Sequence, residues 1–397
     1  MVTTISVVTH EVEKIVPHVK TIRHHLHAHP ELALQEYKTS GFIRSELYAQ
    51  GITPLSPFLE TDVVAMISGT EAGKNVTLRA DMDALPLQEQ NESGYCSTIP
   101  GMMHACGHDG HCAMLLGAAF VLNNLRHRFR GTVRLVFQPG EEVVAAGKAL
   151  VEAGILENPK PDAVLALHAW NGFPVGAVGA KGGAAMAAAD FFKITIQGRG
   201  GHGSKPERTI DPIRIATKLV ESLYAIPFWH VGALDPVVIS VCSIHGGQSA
   251  NVIPDEVVLE GSIRYLSKES GEKLPGLFEG IVRGECEKSG ASAFIDYKRP
   301  YIPTINSPDI VAIGKGIVEQ NLGASAWIDV VEPSMGSEDF SYFLEKNRGA
   351  MFLLGMGEEG PQLHNNCFDF NDDALQNGIL FLVLSTLELL ERQGGTQ

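Results

Sequence analysis

The sequence is poor in cysteine and in basic residues and has no long apolar run, and each shortage excludes a class of protein. The 397 residues include only six cysteines, none of them in a Cys-x-x-Cys pair, so we expect a reduced, cytoplasmic protein. No stretch approaches about 18 consecutive apolar residues, so we expect no membrane span. The first residues lack a basic start, an apolar core and a small-residue cleavage site, so we expect no signal peptide.

The charge balance of the chain is acidic. Lysine and arginine number 31 against 46 aspartates and glutamates, which gives a formal net charge of −15. Nucleic acids and anionic membranes are bound by basic faces, so neither is expected as a partner. Hydrophobic residues make up 44% of the chain, enough for a large core, and the length allows two or three domains.

Apolar runs of strand length alternate with helical patterns before residue 184 and again after about residue 300. Helical spacing is found over roughly 10–50, in HCAMLLGAAFVLNNL and in the final segment DDALQNGILFLVLSTLELLERQ. The segments typical of strands are DVVAMISG, NVTLRADM, GTVRLVFQPGEE and AVLALHAW. This alternation predicts an α/β domain with a central, mostly parallel sheet flanked by helices.

The pattern between residues 185 and 298 has a different order: strand, helix, strand, strand, helix, strand. It begins with a period-2 strand, DFFKITIQ, and ends with SAFIDYKR. This order is typical of a ferredoxin-like α+β domain. We therefore predict a discontinuous α/β domain over 1–184 and 299–397, interrupted by an inserted domain over 185–298.

The segment GRGGHG at 198–203 matches the G-x-G-x-x-G pattern of dinucleotide-binding proteins and follows a predicted strand. In those proteins a helix opens within the motif and directs its N-terminus at pyrophosphate. Here SKPERTIDP, which contains two prolines, separates the motif from the next helix. We therefore favour a glycine turn, or a loop that presents His202, over a dinucleotide site.

Residues 104–114, HACGHDGHCAM, contain three histidines and two cysteines, which are ligand types for zinc and similar cations. Cys106 and His108 are two residues apart, and Gly107 permits a tight turn in which both side chains converge. The alternative is a solvent-facing loop with a core cysteine.

Further candidate ligands follow other predicted strands. Glu141 and Glu142 come after TVRLVF, His168 is near the end of AVLALHAW, and His364 precedes the last helix. Adjacent carboxylates can divide the work, one binding a metal while the other accepts a proton from water. A solvated charge pair and core histidines are the alternatives for these residues taken singly. Because functional residues collect at strand ends in α/β domains, we expect them to lie together.

Two residues of the predicted inserted domain suit an anionic substrate. Asn251 lies at a turn before a strand, and Arg264 lies on that strand. An arginine can hold a carboxylate through two parallel hydrogen bonds, although a surface charge is an equally good interpretation of Arg264 alone.

Motifs of one family are spread over nearly the whole chain. They are HHLHAHPEL, LRADMDALPL, MHACGHDGH, FQPGEE, LALHAW, GRGGHGSKP, GGQSANVIP, GSEDFSYF and LHNNCFDFND. With these motifs the chain resembles the aminoacylase-type metallopeptidase and amidohydrolase family, in the branch of hippurate hydrolase and the plant indole-acetyl-amino-acid hydrolases. Other branches begin their site with His-x-Asp, where this chain has Asp81-Met82-Asp83. Orientation of a ligand is our hypothesis for these aspartates, and His104 and His111 are left without an assigned role.

The resemblance implies a metal-binding catalytic domain and an inserted domain that acts as a lid and dimerisation domain. It implies that a pair of divalent cations is bound by Cys106, His108, Glu142, His168 and His364. Glu141 would be the general base, and His202 would cross a dimer interface to polarise the scissile carbonyl. Asn251 and Arg264 would hold the free carboxylate of the substrate.

The implied activity is cleavage of the amide bond of an N-acyl amino acid, to a carboxylic acid and a free amino acid. An exopeptidase and an N-acetyl-diaminopimelate deacetylase are alternatives with the same chemistry. A silent binding protein and a thiol nucleophile at Cys106 fit the full ligand set less well. The expected metals are zinc or manganese, with cobalt or nickel as further candidates, and the expected assembly is a homodimer or a homotetramer.

Overall fold

The computed structural model describes residues 5–392 of the chain. Within that range the α-helices are α1 Ile5–Ala28, α2 Tyr37–Ala49, α3 His108–Asn124, α4 Glu141–Val144, α5 Ala146–Glu152, α6 Pro212–Tyr224, α7 Ile226–Trp229, α8 Lys268–Glu287, α9 Pro308–Asn321, α10 Ser341–Leu344 and α11 Leu375–Glu391. The strands are β1 Val63–Ser68, β2 Asn75–Asp81, β3 Thr132–Gln138, β4 Ala163–Trp170, β5 Val178–Ala180, β6 Gly183–Met186, β7 Ala188–Gln197, β8 Gly201–His202, β9 Val237–His245, β10 Val252–Ile253, β11 Glu256–Tyr265, β12 Ser292–Tyr301, β13 Thr304–Asn306, β14 Trp327–Asp329 and β15 Gly349–Gly355.

The chain divides into two compact units. The first contains the described residues up to 183, residues 305–332 and those from 339 onward, and the second contains 184–304 and 333–338. The first domain predicted from the sequence, over 1–184 and 299–397, includes residues 333–338, whereas in the structure this segment packs with the second unit. There the backbone N–H of Ala187 donates to the carbonyl oxygen of Ser334, 3.0 Å away. Such a brief return of the chain has no signature in hydrophobic periodicity.

A seven-stranded sheet forms the centre of the first unit, in the order β1-β3-β2-β4-β15-β5-β14. β3, β2, β4 and β15 run parallel to one another, and β14 runs parallel to β5. The β1–β3 and β15–β5 pairs are antiparallel. The predicted mostly parallel sheet is therefore confirmed.

The strands at the middle of this sheet are covered on both faces. β2 and β15 are buried along their whole length, as expected for parallel strands between two layers of helices. Helix α3 is buried from His108 to Leu122, which explains why its sequence is apolar almost all round. The core therefore extends up to the first residue of α3, which is one of the candidate ligands.

Helix α11 is the long apolar helix expected near the end of the chain. The segment Asp372–Glu391 is long and apolar enough to cross a membrane, and among the described residues it is the one segment that is. Of its most apolar window, 72% is buried inside the structure, where α11 packs against α1 and α3. A core helix passes the same test of length and composition, so packing accounts for the apolar run.

The second unit contains a four-stranded sheet in the order β12-β7-β11-β9, with every neighbouring pair antiparallel. β7 alternates as predicted, with Phe191 and Lys193 exposed and Phe192 and Ile194 buried. Helices α6 and α8 pack against each other and against strands of this sheet. Because β7 and β9 run in the same direction with β11 between them, the unit is the split β-α-β arrangement predicted from the order of elements.

The glycine motif at 198–203 opens no helix, since α6 begins only at Pro212. A side chain on Gly198 would place its Cβ 2.1 Å from the carbonyl oxygen of Ile210, and one on Gly200 would place it 2.5 Å from that of Ile253. These glycines therefore allow three backbone segments to approach closely. The motif therefore forms a packed loop, which agrees with the predicted glycine turn.

Candidate active site

Parallel strands of the first unit end at the same edge of the sheet, and polar residues stand at these ends. Asp81 is the last residue of β2, Gln138 is the last of β3, and His168 lies near the end of β4. β2 pairs in parallel with both β3 and β4, so the three carboxyl ends are adjacent. This edge is where α/β sheets usually place their sites.

The candidate ligands of the first unit converge at this edge. Ligand atoms of Cys106, Glu142 and His364 lie within 4.8 Å of one another, and those of His108, Glu141 and Glu142 do so as well. Glu142 belongs to both groups and therefore lies between them. Residues from three separate segments of the sequence thus share one small region, which no single motif could indicate.

His168 completes the cluster from β4. Its side chain is only 8% exposed, and its Nδ1 donates to the carbonyl oxygen of Ala169, 2.7 Å away. Its Nε2 therefore faces the Sγ of Cys106 at 3.7 Å. The histidine is not an ordinary core residue, because its second nitrogen is directed at another candidate ligand.

His364 enters the cluster from a loop that follows β15. Its backbone has the left-handed conformation, with φ at 65°, and its N–H donates to the carbonyl oxygen of Ala105, 2.7 Å away. Its Nε2 lies 3.2 Å from Oε1 of Glu142. The hydrogen bond to Ala105 ties the His364 loop to the segment that carries Cys106.

One ring nitrogen of His108 makes a hydrogen bond, and the other makes none within residues 5–392. Nδ1 donates to the carbonyl oxygen of Asp83, 2.9 Å away. Nε2 is buried without a hydrogen-bond partner among residues 5–392, and it lies 3.7 Å from Oδ1 of Asp81 and 3.8 Å from Oε1 of Glu142. That Glu142 oxygen is buried and likewise makes no hydrogen bond of good geometry within residues 5–392, and its near neighbours include Nε2 of His364 at 3.2 Å. Buried polar atoms without partners are costly, and a cation between these two would satisfy both, so the donor set fits a divalent metal.

Asp83 holds the carboxylate pair in place. Its Oδ1 accepts the backbone N–H of Glu141 and its Oδ2 accepts that of Glu142, both at 3.0 Å. Since its carbonyl oxygen also accepts from His108, one aspartate orients a candidate ligand and the candidate base together. The hypothesis of an orienting role, made from the sequence for both aspartates, agrees with this geometry.

Asp81 and His111 form a second supporting pair. Nδ1 of His111 donates to Oδ1 of Asp81, 2.6 Å away, and its Nε2 accepts the backbone N–H of Ala169, 2.7 Å away. With both ring nitrogens occupied, His111 is a bridge between β2 and β4. Burial lowers its pKa, which keeps the ring neutral in this role.

Asp339 anchors a further network that sequence reasoning missed. Its Oδ1 accepts from Arg79 at 2.8 Å and from Gln138 at 2.8 Å, and its Oδ2 accepts the backbone N–H of Gly147 at 2.7 Å. The backbone N–H of Asp339 donates to Oε1 of Glu141 at 3.4 Å. The available signal was the presence of Arg79 and Gln138 in strands predicted to lie inside the sheet, where a polar side chain requires a partner.

The environment of Cys106 is unsuited to a thiol nucleophile. Burial, together with the nearby Glu142 and Glu141, raises the pKa of this thiol well above its usual value. Reactive cysteines instead have a lowered pKa beside cationic groups. A cysteine that loses its proton only when it binds a cation fits these surroundings better.

A buried ion cluster connects the ligand segments to α1. Arg23 is wholly buried, and its Nη1 lies 2.7 Å from Oδ1 of Asp369 and 3.4 Å from Oδ2 of Asp109. His27, also in α1, lies 2.9 Å from Asp109. Burial alone would lower the pKa of His27, but Asp109 and Glu89 outweigh it and raise the pKa to about 10. Asp109 follows His108 directly, so α1 fixes the start of α3 through charge pairs.

The other three predicted site residues belong to the second unit. His202, in β8, is paired across the ladder with Val252 of β10, next to Asn251. Nδ1 of His202 accepts the backbone N–H of Ser204, 3.1 Å away, so the proton of a neutral ring lies on the exposed Nε2. This nitrogen is a free donor on the surface of the unit.

Arg264 is placed at the other end of the same unit. It lies near the end of β11, where its Nη1 donates to the carbonyl oxygen of Met335, 2.7 Å away. From Glu256 to Arg264 the strand advances eight residues, a span of about 26 Å. Asn251 precedes Glu256, so the structure brings His202 and Asn251 together and separates Arg264 from both.

Known proteins resemble this chain over most of its length. An N-acyl-L-amino acid amidohydrolase of Geobacillus stearothermophilus is 42% identical over 301 residues, which cover 75% of this chain and 81% of that protein. The IAA-amino acid hydrolase ILR1-like 4 of Arabidopsis thaliana is 37% identical over 384 residues, which cover 94% of this chain and 86% of that protein. Both similarities extend across the two units.

A solved structure supports the same conclusion. The Bacillus subtilis YXEP protein, described as a dinuclear metal binding peptidase, has a TM-score of 0.82 and 33% sequence identity to this chain. The similarity covers 96% of this chain and 99% of that one. The model of the peptidase family M20/M25/M40 matches residues 77–387. The chain therefore belongs to the peptidase family M20/M25/M40 and is a hydrolase of amide or peptide bonds.

Proposed function

We propose that the protein is a metal-dependent amidohydrolase that cleaves N-acyl amino acids into a carboxylic acid and a free amino acid. The observation that carries the proposal is the convergence of two buried atoms that make no hydrogen bond within residues 5–392, Nε2 of His108 and Oε1 of Glu142, beside the second carboxylate, that of Glu141. The similarity to the Geobacillus amidohydrolase and to the Arabidopsis hydrolase supports this substrate class. The free state of all six cysteines supports a cytoplasmic location.

The proposed ligands of two divalent cations per subunit are Cys106, His108, Glu142, His168 and His364. The dinuclear description of the YXEP protein supports this number. Thiolate and imidazole suit zinc, while manganese, cobalt and nickel also accept a mixed set with a carboxylate. When bound, the cations supply Lewis acidity, which polarises the substrate carbonyl and makes water a better nucleophile near neutral pH.

Glu141 is the proposed general base. Its side chain is only 6% exposed and lies within reach of the candidate ligand atoms of His108 and Glu142. Because Asp83 holds its backbone N–H, the carboxylate is fixed relative to the cluster. It takes the proton of the attacking water and then delivers it to the leaving nitrogen, as base and afterwards as acid.

The separation of Asn251 from Arg264 bears on the proposed assembly. Arg264 lies about 26 Å along β11 from Glu256, the end of the strand that follows Asn251, so within one subunit the two residues are too far apart to contact the carboxylate of one small substrate. A homodimer through the second unit resolves this, since Arg264 of one subunit can then act with Asn251 and His202 of its partner. In this arrangement the exposed Nε2–H of His202 donates to the oxygen on which negative charge develops.

An exopeptidase is the second candidate function. The YXEP protein is described as a peptidase, and dipeptides carry the same free carboxylate as N-acyl amino acids. A deacetylase of N-acetyl-diaminopimelate would use the same groups. These alternatives differ in substrate and share the proposed chemistry.

A hydrolysis panel distinguishes these substrates. Acetyl, benzoyl and indoleacetyl amino acids are compared with dipeptides and with N-acetyl-diaminopimelate on a single preparation whose metal content is measured. We expect the highest kcat/KM with an N-acyl amino acid, and none with the corresponding amides that lack a free carboxylate. Preferred cleavage of dipeptides would replace the proposal with the exopeptidase, and cleavage of none of these compounds would reject it.

A further inference from the structure

Glu141 and Glu142, the proposed base and metal ligand, lie on a helix that is too short to be stable by itself. Helix α4 is four residues long and lies between Gly140, with φ at 62° and ψ at 41°, and Ala145, with φ and ψ at 51°. A single turn has too few internal hydrogen bonds to be stable alone, and its first N–H groups have no partners within the helix. Other segments must therefore set the direction of Glu141 and Glu142.

Two buried carboxylates bind three consecutive N–H groups at this turn. The N–H of Gly140 donates to Oε1 of Glu36 at 2.9 Å, and the next two donate to the carboxylate of Asp83. Glu36 is 0% exposed and Asp83 is 1% exposed. Hydrogen bonds from N–H to a carboxyl group inside the protein are stronger than those at the surface, so both acids restrain the turn.

Glu36 departs from the usual behaviour of a residue in its position. It occupies the N-cap of α2, but its side chain makes no hydrogen bond to that helix, although N-cap side chains normally accept from the first turn. Its oxygens instead accept from Gly140, from the N–H of Leu34 at 3.0 Å and from the hydroxyl of Thr61 at 3.0 Å. A side chain that departs from the usual N-cap role in this way indicates a role outside its own helix.

The carboxylate of Glu36 also binds the backbone of Leu34, a residue in a strained conformation whose side chain packs over Gly140. Leu34 has φ at 62°, a left-handed conformation that is costly for leucine. A Cβ on Gly140 would lie 3.2 Å from Cδ2 of Leu34 and 2.7 Å from Cγ2 of Val144. The bonds to Glu36 thus join the turn around Leu34 to the first residue of the catalytic turn.

We propose that Glu36 is a positioning residue for hydrolysis, which sets the direction of Glu141 and Glu142 by holding the N–H of Gly140. The inference rests on the proposed roles of those two glutamates. Burial and the nearby Asp83 raise the pKa of Glu36 to about 7. A neutral carboxyl group still accepts both N–H groups, so a glutamine at this position can do the same and offer its amide to Thr61.

The test compares Glu36→Ala and Glu36→Gln with Glu31→Ala as a matched control. Glu31 is a nearby acid whose Oε2 accepts from the N–H and the hydroxyl of Thr39, so it supports α2 without reaching Gly140. We expect Glu36→Ala to lower kcat by about 10- to 100-fold with KM unchanged, because Glu36 contacts no substrate. Glu36→Gln and Glu31→Ala should keep a kcat close to that of the wild type.

A second readout needs no activity and no metal. Amide hydrogen exchange is measured over 139–145 in the metal-free protein, where Glu36→Ala should exchange faster than the wild type and Glu36→Gln should not. The proposal is overturned if Glu36→Ala changes neither kcat nor exchange, if Glu36→Gln is as impaired as Glu36→Ala, or if Glu31→Ala produces the same losses. If the wild type hydrolyses nothing in the panel, the proposed function fails, and the exchange data alone still decide whether Glu36 holds the turn.

Discussion

Replacing Glu141 by glutamine is expected to lower kcat by about 100- to 10,000-fold, the usual contribution of a positioned acid-base group. Glutamine has nearly the same shape but cannot take a proton from water. The backbone N–H of residue 141 would still donate to Asp83, so the turn should keep its conformation. Metal content should therefore equal that of the wild type. Steady-state kinetics and elemental analysis of one preparation give both numbers.

Glu142→Gln is the control for this prediction. Glu142 is part of both groups of convergent ligand atoms, so its replacement should lower metal content together with activity. The roles of the two adjacent glutamates are thus distinguished by the metal content of the variants, because both variants lose turnover. Substantial turnover in Glu141→Gln, or loss of metal from it, would contradict the assignment of the base.

Replacing His202 by alanine is expected to lower kcat by about 100- to 1000-fold, the usual cost of losing one donor to a developing oxyanion. The exposed Nε2–H of this residue lies in the second unit, and we propose that it serves the partner subunit. Mixed dimers test this, because an inactive His202→Ala subunit keeps Glu141 while an inactive Glu141→Gln subunit keeps His202. Random re-association of equal amounts should restore about one quarter of wild-type activity, from one working site in half of the dimers.

The control for the mixing experiment is each variant dissociated and re-associated by itself, which should recover nothing. A mixture that also recovers nothing, although mixed dimers are demonstrated by mass, would show that His202 acts within its own chain or not at all. The same result would remove the explanation offered for the distance between Asn251 and Arg264.

The fold followed from features that leave strong patterns in a sequence. The largely buried strand β4 is an apolar run in the sequence, and the exposed and buried residues of β7 alternate with period two. The split arrangement of the second unit followed from the order of its elements. The return of 333–338 to that unit did not, because six residues of irregular chain carry no period.

The candidate ligands could be found by residue type and by position after strands, whereas the residues that orient them could not. Asp83 and Asp339 act through contacts with backbone N–H groups, and the sequence does not reveal which distant amide a carboxylate will meet. Glu36 could not be found for a further reason, since in the sequence it is an ordinary acid at the start of a helix. It is buried because the distant turn around Gly140 packs against it in the folded chain.

The central claim is that hydrolysis requires divalent cations, which are held by the five proposed ligands Cys106, His108, Glu142, His168 and His364. The most direct measurement strips the protein with a chelator and follows both hydrolysis of an N-acyl amino acid and bound metal as zinc or manganese is returned. The account predicts no hydrolysis in the stripped protein and full recovery as about two cations bind per subunit, as in two-metal hydrolases. Hydrolysis that persists without metal, or that returns with a thiol reductant alone, would contradict it.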